Sequence, residues 1–170
     1  MRTTPALLAL VVSSTILLSG CSAVSDILGG GEPVRDDETG EIVEASEADA
    51  FALREGDCLN AQEAFGEGAT EIETIPTVPC AEPHDGEVYA TMRLAGDEFP
   101  GLDEAAAEAD EFCYAEFPSF VGTSYEDSEL DYTLLSPTKA SWDLMDDREV
   151  ACIVVDFDAD VTGTMEGAQR

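Results

Sequence analysis

The chain has 170 residues, enough for one ordinary domain with segments to spare. It holds 7 Lys and Arg against 38 Asp and Glu, a formal net charge of −31. So acidic a surface repels phosphate backbones and anionic head groups, which excludes nucleic-acid binding, and it favours basic partners or divalent cations.

Met1–Pro5 carries Arg2 and no acid, and Ala6–Leu18 is apolar apart from Ser13, Ser14 and Thr15. A charged start followed by a short apolar run is the pattern of an export signal. A bilayer-spanning helix needs ~20 apolar residues, more than this run supplies. Leu18-Ser19-Gly20-Cys21 comes next. A branched apolar residue, two small residues that fit a peptidase cleft and a thiol that can take a diacylglyceryl thioether form a bacterial lipobox. Residues 1–20 are therefore expected to be a cleaved lipoprotein signal peptide. Cys21 is expected to carry the lipid, palmitate included, and to hold the protein on the extracytoplasmic face of the cell membrane. Several acyl chains anchor far more firmly than one, at ~0.8 kcal/mol per buried CH₂. Without residues 1–20 the charge balance is 6 minus 38, or −32.

Residues 21–50 read as an acidic disordered tether. Gly29-Gly30-Gly31, Pro33 and Gly40 interrupt a segment with Asp or Glu at nine positions from Asp26 to Asp49. Its sparse apolar residues have no period, so burial does not offset the entropy of ordering. A flexible coil of this length reaches ~30 Å, and like-charge repulsion extends it.

Order is expected from Phe51 to Glu166, with residues 167–170 as a tail. Phe51–Leu53 reads as a short strand and Thr74–Val78 as a β-branched strand stopped by Pro79. Gly86–Leu94 and Leu130–Leu135 alternate as strands do. Pro100–Val121 holds the main helix, with Ala106, Ala109, Cys113, Tyr114 and Phe117 at three- and four-residue spacing and Pro118 closing it. Lys139–Met145 reads as a helical turn carrying Trp142, and Val150–Phe157 as the most apolar, central strand. The order implies an α+β fold: a small antiparallel sheet with one main helix on one face. Cys58, Cys80, Cys113 and Cys152 are too widely spaced for a metal site, and outside the cytoplasm they imply two disulfides with three possible pairings. In the α+β picture a Cys113–Cys152 bridge staples helix to sheet and leaves Cys58–Cys80 as a local one.

Few residues carry reactive chemistry. His84-Asp85 with Glu87 is the one acid–base candidate, and no nucleophile signature accompanies it. Asp156-Phe157-Asp158-Ala159-Asp160 resembles the start of a Ca²⁺ loop. It has Val161 where the loop needs Gly and Gly167 where it needs Glu, so no metal and no cofactor are expected. Trp142 is either a recognition aromatic or core. His84, Asp85, Glu87 and Trp142 are the candidate partner-binding residues.

Arg54-Glu55-Gly56-Asp57-Cys58-Leu59 and Val78-Pro79-Cys80-x-x-Pro83-His84-Asp85-x-Glu87-Val88 resemble the actinobacterial septum-formation domain. Phe99-Pro100-Gly101, Cys113, Pro137-Thr138, Ser141-Trp142, Arg148-x-Val150-Ala151-Cys152 and Thr162-Gly163 are similar to its later pattern. The resemblance implies an envelope protein, often lipidated, connected with septum formation and without a defined catalytic activity. Members often have Gly before the Asp-Arg pair; here that position is Asp146. The expected function is thus a tethered, non-enzymatic lipoprotein whose disulfide-braced domain binds an envelope or division protein. The alternatives are an acidic cation- or ligand-binding module and a hydrolase built on His84.

Overall fold

The computed structural model describes residues 31–66 and 72–170; the expected signal segment, Cys21 and the first part of the tether lie outside them. In chain order the elements are β1 (Ser46–Asp49), β2 (Cys58–Leu59), α1 (Ala61–Ala64), β3 (Thr74–Val78), β4 (Gly86–Arg93), α2 (Leu102–Val121), β5 (Asp131–Leu135), α3 (Lys139–Met145) and β6 (Glu149–Val155). Two 3-10 turns, Ala50–Ala52 and Tyr125–Asp127, complete the set. The strands form one curled antiparallel sheet in the order β1-β3-β2-β4-β6-β5. The α+β class is the one the sequence implies. None of the described helices is long and apolar enough to cross a membrane.

After Glu149, β6 is apolar from Val150 to Val155 because both faces of the sheet are covered. Val150, Cys152 and Val154 face a core under α2, while Ala151, Ile153 and Val155 face a second core. α2 presents Ala105, Ala109, Cys113, Phe117 and Val121 to the sheet, a row at strict four-residue spacing. Ala106 and Tyr114, expected on that face, are exposed. Mixing three- and four-residue steps chose a stripe along the helix axis, whereas the packed ridge follows one inclined row. Pro118 does not close the helix. It lies inside it, and the helix ends at Gly122, whose left-handed φ of 86° and N–H to the Pro118 carbonyl (3.0 Å) make the cap.

The second core is enclosed by the curl of the sheet, which brings Leu59, Ile75 and Val88 against Ile153 and Val155. A bulge in β4 helps the curl: Val88 faces Ile153 and Ala90 faces Cys152, leaving Tyr89 unpaired between them. Tyr89 and Ala90 therefore both turn toward α2, where the Tyr89 hydroxyl donates to the Cys113 carbonyl at 2.7 Å. Burial pushes the Tyr89 hydroxyl far above the ordinary tyrosine range. The Cys113–Cys152 disulfide fixes α2 to β6, and Cys58–Cys80 fixes β2 to the end of β3. With sequence separations of 39 and 22 residues, chain-entropy arguments give about 3.9 and 3.4 kcal/mol for the two bridges.

Both ends of the ordered region differ from the sequence expectation. Order is present from Gly31, not Phe51. β1 pairs along β3 from Ser46 to Asp49, Gly31 bridges Ala48, and Ile42 is buried. Arg35 grips Asp57 with both guanidinium nitrogens at 2.5 and 2.7 Å and donates to the Ala52 carbonyl at 3.0 Å. This buried pair and the single inward residues Ile42 and Ala48 suffice to hold an acid-rich segment that shows no periodicity. Phe51–Leu53, read as a strand, begins in the Ala50–Ala52 turn, with the Asp49 carboxylate accepting from the Phe51 N–H. At the other end the expected tail packs on the domain: Gly167 N–H bonds Phe120, Gln169 N–H bonds Val121, and the Arg170 guanidinium meets Asp156.

Arg35→Met leaves Asp57 charged and buried, which costs about 3 kcal/mol. Denaturant titration is expected to show that loss, and limited proteolysis to cut between residues 31 and 45. Unchanged stability would mean that the segment is held by β1 alone. α3 ends at Asp146 in the left-handed conformation (φ 56°), where an L side chain is strained. Glycine is free of that strain, so Asp146→Gly is expected to raise stability by about 1 kcal/mol in the same titration.

Candidate functional site

The stretch that opens β4 gives each residue a separate anchoring task. His84 is fully buried; its N–H bonds the Val161 carbonyl at 3.0 Å and its carbonyl accepts from the Val161 N–H at 2.8 Å. Its Nδ1 lies 2.8 Å from the Glu82 carbonyl, which can only accept, so Nδ1 carries the proton and the buried Nε2 has no partner. The Asp85 carboxylate accepts from the N–H groups of Ala61 and Gln62 (3.2 Å for Gln62) and so caps α1, which Asn60 leaves uncapped. Gly86 lets α1 sit against the sheet, since a Cβ there would fall 2.8 Å from the Ala61 Cβ. Glu87 accepts from the Thr164 hydroxyl at 2.8 Å and the Met165 N–H at 2.6 Å.

Trp142 is also interior, 2% exposed. Its indole N–H donates to the Asp97 carbonyl at 3.3 Å, Phe99 packs edge-on, and the Arg148 guanidinium stacks 3.6 Å over the ring. All four candidate partner-binding residues are thus buried and tie segments of the domain together. Their side chains present little surface in this fold, which favours the structural role for His84 and the core role for Trp142. Among the described residues neither ring nitrogen of His84 is hydrogen-bonded to a hydroxyl, thiol or carboxylate. At the Asp156–Asp160 run, Asp156 accepts from the Asp158 and Ala159 N–H groups (3.0 and 3.1 Å) and from Arg170. Burial opposes its charge, but those donors outweigh it and hold the carboxyl below its usual range. Its oxygens are occupied by the protein itself. Among the described residues no three His, Cys, Asp or Glu side chains are grouped to hold a metal.

The feature that does face solvent is an apolar groove of 520 Å³ where the sheet stops curling. One lip is built by Ala50, Phe51 and Leu53 with Phe65, Ile72 and Glu73; the other by Leu134–Thr138 and α3; Ala151 and Glu149 of β6 lie between. Four of its side chains are large, apolar and exposed: Phe51 (47%), Leu102 (65%), Leu144 (84%) and Met145 (59%). The sequence reading missed them, although a signal was present. α3 buries Trp142, and a helix that turns Trp142 inward must turn Leu144, two residues on, the other way. Leu102 likewise stands outside the four-residue row of α2.

Burial raises the Glu87 pKa, and the Met165 N–H and Thr164 hydroxyl only partly offset it. A raised carboxyl contributes stability below the ordinary carboxylate range and loses it as pH rises through the folded-state pKa. Glu87→Gln keeps both contacts and does not titrate. Its melting temperature is expected to gain on the parent chain as pH rises from about 4 to 7. A constant difference across that range would mean that Glu87 titrates as it does in the unfolded chain.

Residues 28–163, well over half of the chain, match the family described as septum formation. No curated protein and no solved structure matches the chain. The matched span takes in β1 to β6 and both disulfides, together with the anchoring stretch at the start of β4. By that match the chain belongs to the septum-formation family.

Proposed function

We propose that this chain is a non-enzymatic, lipid-anchored envelope protein that serves septum formation by holding a partner protein in its apolar groove. The observation that carries the reading is the groove itself. A domain with so large an excess of acids keeps Phe51, Leu102, Leu144 and Met145 exposed around one opening. Exposed apolar side chains gathered in one concave patch mark an interaction site, whereas scattered ones need no explanation. The family supports a place in septum formation, and Leu18-Ser19-Gly20-Cys21 supports lipid attachment through Cys21. Only nine residues separate Cys21 from Gly31, where the described domain begins, so the groove would work close to the membrane surface.

The test is imaging of the full chain, fused to a fluorescent protein at its C-terminus, in dividing cells. The parent chain is expected to concentrate at the septum. Leu144→Ser/Met145→Ser, which alters exposed side chains only, is expected to lose that enrichment while staying on the membrane. Cys21→Ser is expected to leave the membrane. An even distribution of the parent chain overturns the septal role, and septal enrichment that survives the groove variant overturns the groove as the contact.

A further inference from the structure

The six basic residues of the described segments are all engaged: Arg35 with Asp57, Arg54 with Glu32, Arg93 with Glu149, Lys139 with Asp143, Arg148 with Asp146 and Arg170 with Asp156. None of them lines the groove, whose ionisable members are Glu73, Asp147 and Glu149. Asp147 is used internally, by Ser141 and by the Glu149 N–H. Glu73 is exposed, and Glu149 meets Arg93 only at 3.9 Å across an exposed surface, a weak pairing. Among the described residues the groove therefore has apolar walls, the exposed acid Glu73, the weakly paired Glu149, and no Lys or Arg in its lining.

We infer that the segment held in this groove is a cationic peptide: Lys or Arg residues set among two or three aliphatic or aromatic anchors. The inference rests on the groove being the contact surface. Charge complementarity selects this occupant. An anionic lipid or an acidic peptide would meet the field of a chain carrying −31, with no Lys or Arg among the described lining residues and only Arg93, shared with Glu149, beside them. A neutral acyl chain would fill the apolar walls but leave Glu73 and Glu149 unanswered. β5 adds a reason for a polypeptide. It ends the sheet with a strand neighbour on one side only, and its Leu134 and Leu135 line the groove. The free side of an edge strand offers main-chain N–H and C=O groups that a peptide can pair and a lipid cannot.

The experiment places a photo-crosslinking amino acid at position 144 of the full chain in dividing cells, with the same residue at Asp103 on the exposed start of α2 as control. The linked species are identified by mass spectrometry. Position 144 is expected to capture protein segments whose Lys and Arg outnumber Asp and Glu. Glu73→Lys/Glu149→Lys, which leaves the apolar walls intact, is expected to cut their yield about fivefold, a loss equivalent to ~1 kcal/mol. Capture of neutral or acidic segments, capture of lipid, or a yield unmoved by the charge reversal overturns the cationic peptide while leaving the groove as a contact. No capture above the Asp103 control overturns the groove and this inference together.

Discussion

The domain is closed by carboxylates that leave water and bind main-chain N–H groups. Asp85 caps α1 across a gap of more than twenty residues, and Glu87 holds Thr164 and Met165 from nearly eighty residues away. His84 pairs its backbone with Val161 between them. A buried carboxylate is costly unless donors surround it, and here the donors come from two distant segments, α1 for Asp85 and the stretch at Thr164 and Met165 for Glu87. Removing one carboxylate would leave a buried N–H unpaired and free the segment it belongs to. The start of β4 therefore decides where α1, the C-terminal segment and the sheet lie relative to one another. The hydrogen bonds of this stretch give its residue types a structural role.

Basic residues are scarce in this chain, and their distribution follows from that scarcity. Arg35 and Arg170 go to the buried acids Asp57 and Asp156, each of which lies where two chain segments meet. Arg148 stacks on Trp142 and donates to its carbonyl, holding α3 against the segment around Asp97. The exposed pairs of Arg54, Arg93 and Lys139 contribute little each, about 0–1 kcal/mol. Two of the six described bases thus neutralise buried acids, and the acids of the surface keep their field. The same arrangement that closes the domain leaves its outer face strongly anionic.

What could be read in the sequence was what local pattern encodes. β3, β4, β5, α3 and β6 fall where alternation, β-branching and the Trp142 turn put them, and the helix-to-sheet staple joins Cys113 to Cys152 as the α+β picture suggests. Long-range pairings could not be read. β2 is two residues long, α1 is four, and β1 brings only Ala48 to the core, so none has a period to detect. The Arg35–Asp57 pair spans 22 residues of sequence and looks like ordinary surface charge until the fold buries it. The four candidate contact residues are buried in the fold, and Asp85, Glu87 and Trp142 have their polar atoms hydrogen-bonded there. An acid–base trio in sequence cannot be told from a set of loop anchors until it is known which way each carboxylate faces.

The groove follows from how the sheet is covered. α2 spans one face and leaves the other to the sheet's own curl. That curl is limited because β1 is four residues long and β5 five, and neither reaches the other. The Ala50–Ala52 turn and α3 come from opposite sides and stop short of meeting, so Ala151 floors an opening between them. A sequence selected for stability alone would place polar residues on the two lips. Leu144 and Met145 follow directly on the buried Trp142 turn, in a helix whose cap and core contacts are already made by Thr138, Ser141 and Trp142. Their side chains add nothing visible to the packing of the domain, so the fold does not explain why they are apolar. A bound chain lying along the opening is the reason proposed for them.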